Sequence, residues 1–209
     1  MQENRNFQVL RKCYQLRHVS RRQTPRSLFP YSKLHILKLK STGRLTYIPT
    51  QLCLEQLETL YLERVSFNGL DLSSRCPNLV ELSIVGFYLM DSNTLKICAP
   101  QLARLNISCS FCYSRDWEVV LSSPKLTAFN FKASSPVVLR TDELMLLETI
   151  RIDVDYKFAR CKIDEQKKFG RDAMNMLQKL HTAQHVSLTM PIVEVYFSTM
   201  FFLFISSFF

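Results

Sequence analysis

The chain has 209 residues, of which 47% are hydrophobic, and its formal net charge is +9. These values exclude an intrinsically disordered chain and predict a folded domain with a substantial core. The four glycines, Gly43, Gly69, Gly86 and Gly170, lie too far apart to form a glycine-rich phosphate-binding loop, which excludes the common nucleotide-binding fingerprints.

The positive charge is concentrated at the N-terminus, where residues 1–33 contain eight Lys and Arg residues and a single acidic residue, Glu3. A basic arm of this kind can contact nucleic acid or an acidic partner. No aromatic platform and no known nucleic-acid-binding motif accompanies the charge. We therefore interpret residues 1–27 as a basic leader or a partial cap, and we expect no nucleic-acid partner.

From residue 34 onward the chain repeats three apolar positions, with the second three residues after the first and the third two residues later. The first six copies start 21–24 residues apart and a weaker seventh follows after 36 residues. The copies are LHILKLK from Leu34, LETLYLE from Leu57, LVELSIV from Leu79, LARLNIS from Leu102, LTAFNFK from Leu126, LETIRID from Leu147 and AQHVSLT from Ala183. This period and spacing are typical of leucine-rich repeats.

The spacing has a physical reason. The second and third apolar positions are two residues apart, so they lie on the same face of a short strand. One such unit cannot bury its apolar side alone, whereas stacked units pair their strands in parallel and bury a continuous core. Pro77, Pro100 and Pro124 each precede a copy by two residues, where proline suits a chain that enters a strand.

We predict an α/β fold, an irregular leucine-rich-repeat solenoid. It is expected to be a right-handed coil with a parallel sheet on the concave side and short helices and loops on the convex side. The coil is expected to be irregular because the asparagine that often follows the third apolar position is not repeated here. The predicted domain spans 28–190 with about six to seven repeats.

One insertion interrupts the repeats between Asp155 and Ala183, and its apolar residues follow helical spacing. We predict an amphipathic helix at 165–180 that packs on the coil through Phe169, Ala173, Met176, Leu177 and Leu180.

The predicted C-terminal segment, 191–209, is an apolar, phenylalanine-rich tail. Its last 18 residues contain one charge, Glu194. That length permits a marginal membrane span at 192–209, but no basic residues flank it to set its orientation. We interpret the tail as the product of an unspliced or mispredicted gene end; the alternatives are a membrane anchor and a genuine final repeat.

The seven cysteines are odd in number and no secretory signal opens the chain. We predict free buried thiols in a reducing compartment, the cytoplasm or the nucleus. Cys109 and Cys112 form a C-x-x-C, but zinc would need a second pair of ligands nearby. We predict no metal, no cofactor and no enzyme activity, because no nucleophile motif is present either.

In each repeat, the residue between the second and third apolar positions and the residue after the third cannot join the core, because side chains alternate along a strand. These residues form two rows on the concave face. Tyr61 and Arg151 have the side chains most often found as binding anchors. The candidate protein-binding residues are Lys38, Tyr61, Glu63, Ser83, Asn106, Asn130, Lys132, Arg151 and Asp153.

Five segments resemble the repeat region of plant F-box/leucine-rich-repeat proteins of the FBD type, over about residues 26–190. They are RSLFPYSKLHILKLKS, LEQLETLYLERVSF, CPNLVELSIVGF, CAPQLARLNIS and MLQKLHTAQHVSLTM. The resemblance implies that the repeats hold a protein that is to be ubiquitinated, whereas an F-box recruits the adaptor of the cullin ligase.

An F-box-like opening is not recognisable in residues 1–33, and the resemblance ends after about Pro191. The expected function is therefore that of a non-catalytic recognition module, from a truncated relative without its own F-box. Its partner would be a protein substrate on the concave face, and the ligase adaptor only if an F-box is supplied elsewhere. The alternative is a membrane-tethered or non-functional product of a gene fragment.

Overall fold

The computed structural model describes residues 34–40, 46–47, 54–67, 70–71, 75–89, 93–109, 117–155, 163–189 and 192–193. The expected leader at 1–27 and almost all of the expected tail at 191–209 lie outside these ranges. In chain order the elements are β1 (Ile36–Lys40), β2 (Thr46–Tyr47), β3 (Thr59–Glu63), β4 (Val65–Phe67), β5 (Leu70–Asp71), β6 (Glu81–Val85), β7 (Tyr88–Leu89), β8 (Thr94–Cys98), β9 (Arg104–Cys109), β10 (Glu118–Ser122), β11 (Ala128–Ala133), β12 (Val138–Thr141), β13 (Thr149–Val154), α1 (Ile163–Lys179) and β14 (His185–Leu188).

The strands form three parallel sheets. The seven-stranded sheet has the order β1-β3-β6-β9-β11-β13-β14 and contains one strand from every repeat copy. A four-stranded sheet has the order β12-β10-β8-β5, and a three-stranded sheet has the order β2-β4-β7. Four successive turns of the chain contribute a strand to both larger sheets. The prediction of a repeat solenoid with a continuous parallel sheet is therefore confirmed.

In four turns of the described residues, strands of the four-stranded sheet lie across the core, where short helices and loops were expected, and helix α1 lies at the edge of that sheet. These segments alternate buried and exposed side chains: Leu95 and Ile97 in β8, and Val119 and Leu121 in β10, are at most 1% exposed. Such period-two alternation of β-branched and leucine side chains favours strands over helices.

The core lies between the two larger sheets. The second and third apolar positions of β6, Leu82 and Ile84, are fully buried and belong to the same cluster as Leu95 and Ile97 of β8. On three successive turns of the coil, aromatic rings contact one another: the ring centroid of Trp117 lies 5.7 Å from that of Phe87 and 5.9 Å from that of Phe131. All three side chains are at most 3% exposed, so they form an aromatic part of the core.

A turn before five strands of the seven-stranded sheet explains the first apolar position of the repeat and the prolines. The N–H of Leu79 donates to the carbonyl of Cys76, three residues earlier, and the same bond is made by Leu57, Leu102, Leu126 and Leu147. Pro77, Pro100 and Pro124 each take the second position of this turn, where their fixed φ fits. The prolines thus lie in the turn through which the chain enters the strand, as their positions in the sequence indicated.

The chain leaves two neighbouring strands through a left-handed backbone. Arg64 after β3 has a φ of 56° and Gly86 after β6 has a φ of 58°. The N–H of each donates to the next strand, to the carbonyls of Val85 and Ser108 respectively. Glycine adopts this conformation freely, whereas a residue with a side chain loses about 1–2 kcal/mol. The same left-handed turn therefore occurs after both strands, although the residue that forms it is arginine in one and glycine in the other.

Helix α1 packs against the edge of the four-stranded sheet at β12. The helix was expected at 165–180 and runs from Ile163 to Lys179. Its inward residues Phe169, Ala173 and Met176 are buried. The side-chain oxygen of Asn175 accepts a hydrogen bond from the backbone N–H of Leu139 at 3.2 Å, where a further strand would otherwise bond.

The expectation of free thiols is wrong at one position. Cys76 and Cys98 form no disulfide, but Cys109 at the end of β9 is disulfide-bonded. Cysteine count and the lack of a signal segment indicate a compartment, but they carry no information on which sulfur atoms the fold brings together.

Leu105→Ala should destabilise the fold strongly, since Leu105 is 1% exposed in the central strand β9. We expect the free energy of unfolding to fall by about 2–5 kcal/mol in urea denaturation. Leu146→Ala is the control, because Leu146 is 54% exposed, and its effect should stay within about 0.5 kcal/mol. Equal effects of the two substitutions would contradict the assignment of the core.

Asn175→Ala should leave the Leu139 N–H without its acceptor. We expect a loss of about 1–2 kcal/mol in the free energy of unfolding. Gln178→Ala, on the exposed side of the same helix, should cost less than about 0.5 kcal/mol. If the two variants unfold at the same urea concentration, Asn175 does not secure the sheet edge.

Candidate functional site

The outer face of the seven-stranded sheet carries the predicted binding residues in two continuous rows. The strand register pairs Lys38 with Tyr61, Tyr61 with Ser83, Ser83 with Asn106, Asn106 with Asn130 and Asn130 with Arg151. We call these six residues, together with Ser187 on β14 beside Arg151, the central row. The second row contains Lys40, Glu63, Val85, Ser108, Lys132 and Asp153. All nine predicted residues lie on this face, although binding itself stays a prediction.

The central row is more exposed at its ends than in its middle. Lys38, Asn130 and Arg151 are exposed, whereas Tyr61, Ser83 and Asn106 are half-buried. Neighbouring strands are about 4.8 Å apart, so the five steps from Lys38 to Arg151 span about 24 Å. The row is long enough for several residues of a partner to lie along it.

Tyr61, Glu63 and Lys40 form a small network near one end of the face. The Lys40 ammonium lies 2.7 Å from a Glu63 carboxylate oxygen, and the Tyr61 hydroxyl donates to the other oxygen at 2.9 Å. The hydrogen bond from Lys40 is the main reason that the pKa of Glu63 is lowered. Partial burial opposes this shift, whereas the Tyr61 hydroxyl and the nearby charges of Lys40 and Arg64 add to it. Burial raises the pKa of Tyr61, as does its bond to the Glu63 carboxylate.

Other side chains of the face also bond between neighbouring strands. The Asn106 amide donates to the Ser83 hydroxyl at 2.9 Å. The Lys132 ammonium lies 2.6 Å from Asp153. These contacts hold the side chains in place before any partner binds, which lowers the entropy that a partner must remove.

A third row on this face was missed by the sequence analysis. It lies two residues before the central row and contains Glu81 and Arg104, whose charged groups are 3.0 Å apart. The same alternation that revealed the other rows would have revealed this one, because residues two apart on a strand share a face.

The described ranges contain no group of three or more His, Cys, Asp and Glu side chains that could hold a metal ion. Nor is any helix in this part of the chain long and apolar enough to cross a membrane. The segment considered as an anchor, 192–209, is described only at Ile192 and Val193.

Several Arabidopsis thaliana proteins are homologous to the chain at 28–38% identity over part of its length. One is an F-box/LRR-repeat protein, 29% identical over 178 residues, and the matched region covers 83% of this chain and 54% of the relative. Another is an F-box/FBD/LRR-repeat protein, 38% identical over 88 residues, which covers 40% of this chain and 19% of the relative. The resemblance to plant F-box/leucine-rich-repeat proteins is thereby confirmed.

The chain spans from about a fifth to about half of the length of these relatives. No protein-family model and no solved structure matches the chain.

Glu63→Gln should destabilise the fold at neutral pH but not at acidic pH. A carboxyl whose pKa is lowered by folding contributes stability above its ordinary value of 4.5, and that stability is lost as the pH falls through the lowered pKa. We expect a loss of about 1 kcal/mol or less at pH 7, measured by urea denaturation, and a smaller difference at each step towards pH 3.

Glu143→Gln is the matched control, because Glu143 is exposed and has no ion pair among the described residues. It should behave like the unchanged protein at every pH. A Glu63→Gln effect that is constant across the pH range would show that the charge on Glu63 contributes nothing.

Proposed function

We propose that the chain is a non-catalytic protein-recognition module whose binding surface is the outer face of the seven-stranded sheet. The observation that carries this proposal is the central row, an in-register line of polar side chains across all seven strands, none of which joins the core. Tyr61 and Arg151 are its anchor residues, since tyrosine and arginine contribute strongly to protein interfaces. The homologues, named for their leucine-rich repeats, support the same role.

The coil itself is assigned to the leucine-rich-repeat class, with right-handed turns and a recognition domain at 28–190. The period of 21–24 residues in the first six copies and the parallel seven-stranded sheet support this assignment. The right hand is the one that parallel strands joined by crossover connections adopt in almost every known sheet.

The chain would act in the setting of a cullin-based ubiquitin ligase. Its relatives are named for an F-box as well as for leucine-rich repeats. In such proteins the F-box recruits the adaptor and the repeats hold the substrate, so the described face of this chain would hold a protein that is to be modified. Contact with the adaptor itself would require an F-box.

A role without catalysis agrees with the geometry of the face. Tyr61, Glu63 and Lys40 bond to one another, and the Lys40 side chain is 54% exposed. Catalytic groups are commonly desolvated and aimed at a bound substrate. The charges of this open face instead suit the recognition of a partner surface.

Tyr61→Ala combined with Arg151→Ala should remove the partners that bind the outer face. The measurement is affinity capture from a plant extract by the full chain, followed by quantitative mass spectrometry. We expect a defined set of proteins to fall at least tenfold in the double variant, because each anchor contributes about 1–2 kcal/mol or more to an interface.

The matched control is Tyr88→Ala combined with Lys96→Ala, which removes a tyrosine and a cation from β7 and β8 outside the seven-stranded sheet. This variant should keep the captured set, and both variants should unfold at about the wild-type urea concentration. If the face variant keeps every partner that the wild type captures, the proposed surface is wrong.

A further inference from the structure

The charges of the outer face divide into paired and unpaired groups. Lys40 lies 2.7 Å from Glu63, Arg104 lies 3.0 Å from Glu81 and Lys132 lies 2.6 Å from Asp153. Each of these pairs bridges neighbouring strands and occupies a row beside the central row. Their charges are therefore largely compensated within the sheet.

Two cations of the central row are not compensated in this way. Lys38 and Arg151 are both exposed, and neither has an ion-pair partner among the described residues. They stand five strands apart in the row, Lys38 on the edge strand β1 and Arg151 on β13, where only Ser187 lies beyond it. A partner that meets this face meets one positive charge at each end.

The side chains between the two cations are neutral and capable of hydrogen bonding: Tyr61, Ser83, Asn106 and Asn130. Ser83 and Asn106 are small, half-buried and bonded to each other. The middle of the row therefore offers hydrogen bonds and room, but no charge that would attract or repel a charged group of a partner.

We propose that the partner segment carries two acidic residues about 24 Å apart, one for Lys38 and one for Arg151, with neutral polar residues between them. An extended polypeptide advances about 3.3 Å per residue, so acidic residues about seven positions apart match this separation. The inference rests on the proposed function and specifies the chemistry of the segment that the outer face recognises.

The two cations would make binding selective as well as stronger. Placing acidic groups opposite both cations is favourable, whereas a basic segment would meet like charges at both ends. Because both cations are exposed, salt should weaken the attraction. The two charges also define a length, so a segment with its acidic residues only three positions apart can reach one cation but not both.

The experiment selects binders from a displayed library of random 16-residue peptides against the full chain. We expect the enriched peptides to carry acidic residues about seven positions apart. Their binding, measured by fluorescence anisotropy, should weaken at least tenfold with Lys38→Gln combined with Arg151→Gln, and the single variants should each lose the preference at one end. Added salt should weaken binding to the wild type much more than binding to the double variant.

Lys96→Gln combined with Lys167→Gln is the matched control, because both residues are exposed and lie outside the seven-stranded sheet. This variant should bind the selected peptides as the wild type does. All variants should keep the wild-type urea midpoint, which shows that lost binding is not lost folding.

The outcomes separate this inference from the proposed function. Peptides that depend on Tyr61 but lack the acidic pair, or that bind the Lys38 and Arg151 double variant equally well, overturn the inference and leave the recognition surface standing. If no enriched peptide depends on any residue of the outer face, the proposed function fails with it.

Discussion

The in-register parallel pairing of the seven-stranded sheet is the constraint on which the rest of the molecule depends. The five inner strands, β3, β6, β9, β11 and β13, each place at least two apolar side chains inward, and these must lie level with those of the neighbouring strands for the core to close. A slip by one residue would turn the leucines outward and the polar side chains inward. Burial on one face therefore determines the register, and the register determines every contact on the other face.

This register also determines which side chains are neighbours on the outer face. Residues 21–24 positions apart in sequence become neighbours on adjacent strands, as the Lys40–Glu63, Asn106–Ser83 and Lys132–Asp153 contacts show. Each repeat thus contributes one strand to the outer face, and the exposed side chains of that strand form one short strip of the surface. Recognition can change strip by strip because substitutions between the leucines leave the core intact.

Prediction from sequence succeeded for features that depend on spacing along the chain, such as the position of a strand and the face on which a side chain lies. The strands and both predicted rows could be located because side chains alternate with a period of two along any strand. The amphipathic helix was recognisable by its 3.6-residue period, and Phe169, Ala173 and Met176 are buried as that period requires. The four-stranded sheet was missed because its strands, such as β10, lie outside the repeated motif and fill a part of the turn whose length varies. The Glu81–Arg104 pair was missed for a simpler reason, since the alternation rule was not extended to the first strand position.

The sequence by itself determined the repeat, the positions of the inward leucines and the identity of the side chains between them, because these depend on spacing along one chain. Only the tertiary structure decided which charges compensate one another, that strands rather than short helices lie across the core, that Asn175 of α1 bonds the edge of the four-stranded sheet, and that Cys109 is disulfide-bonded. These are relations between residues far apart in sequence. They depend on how each turn of the solenoid is positioned against the next turn, and this is set by the packing between turns.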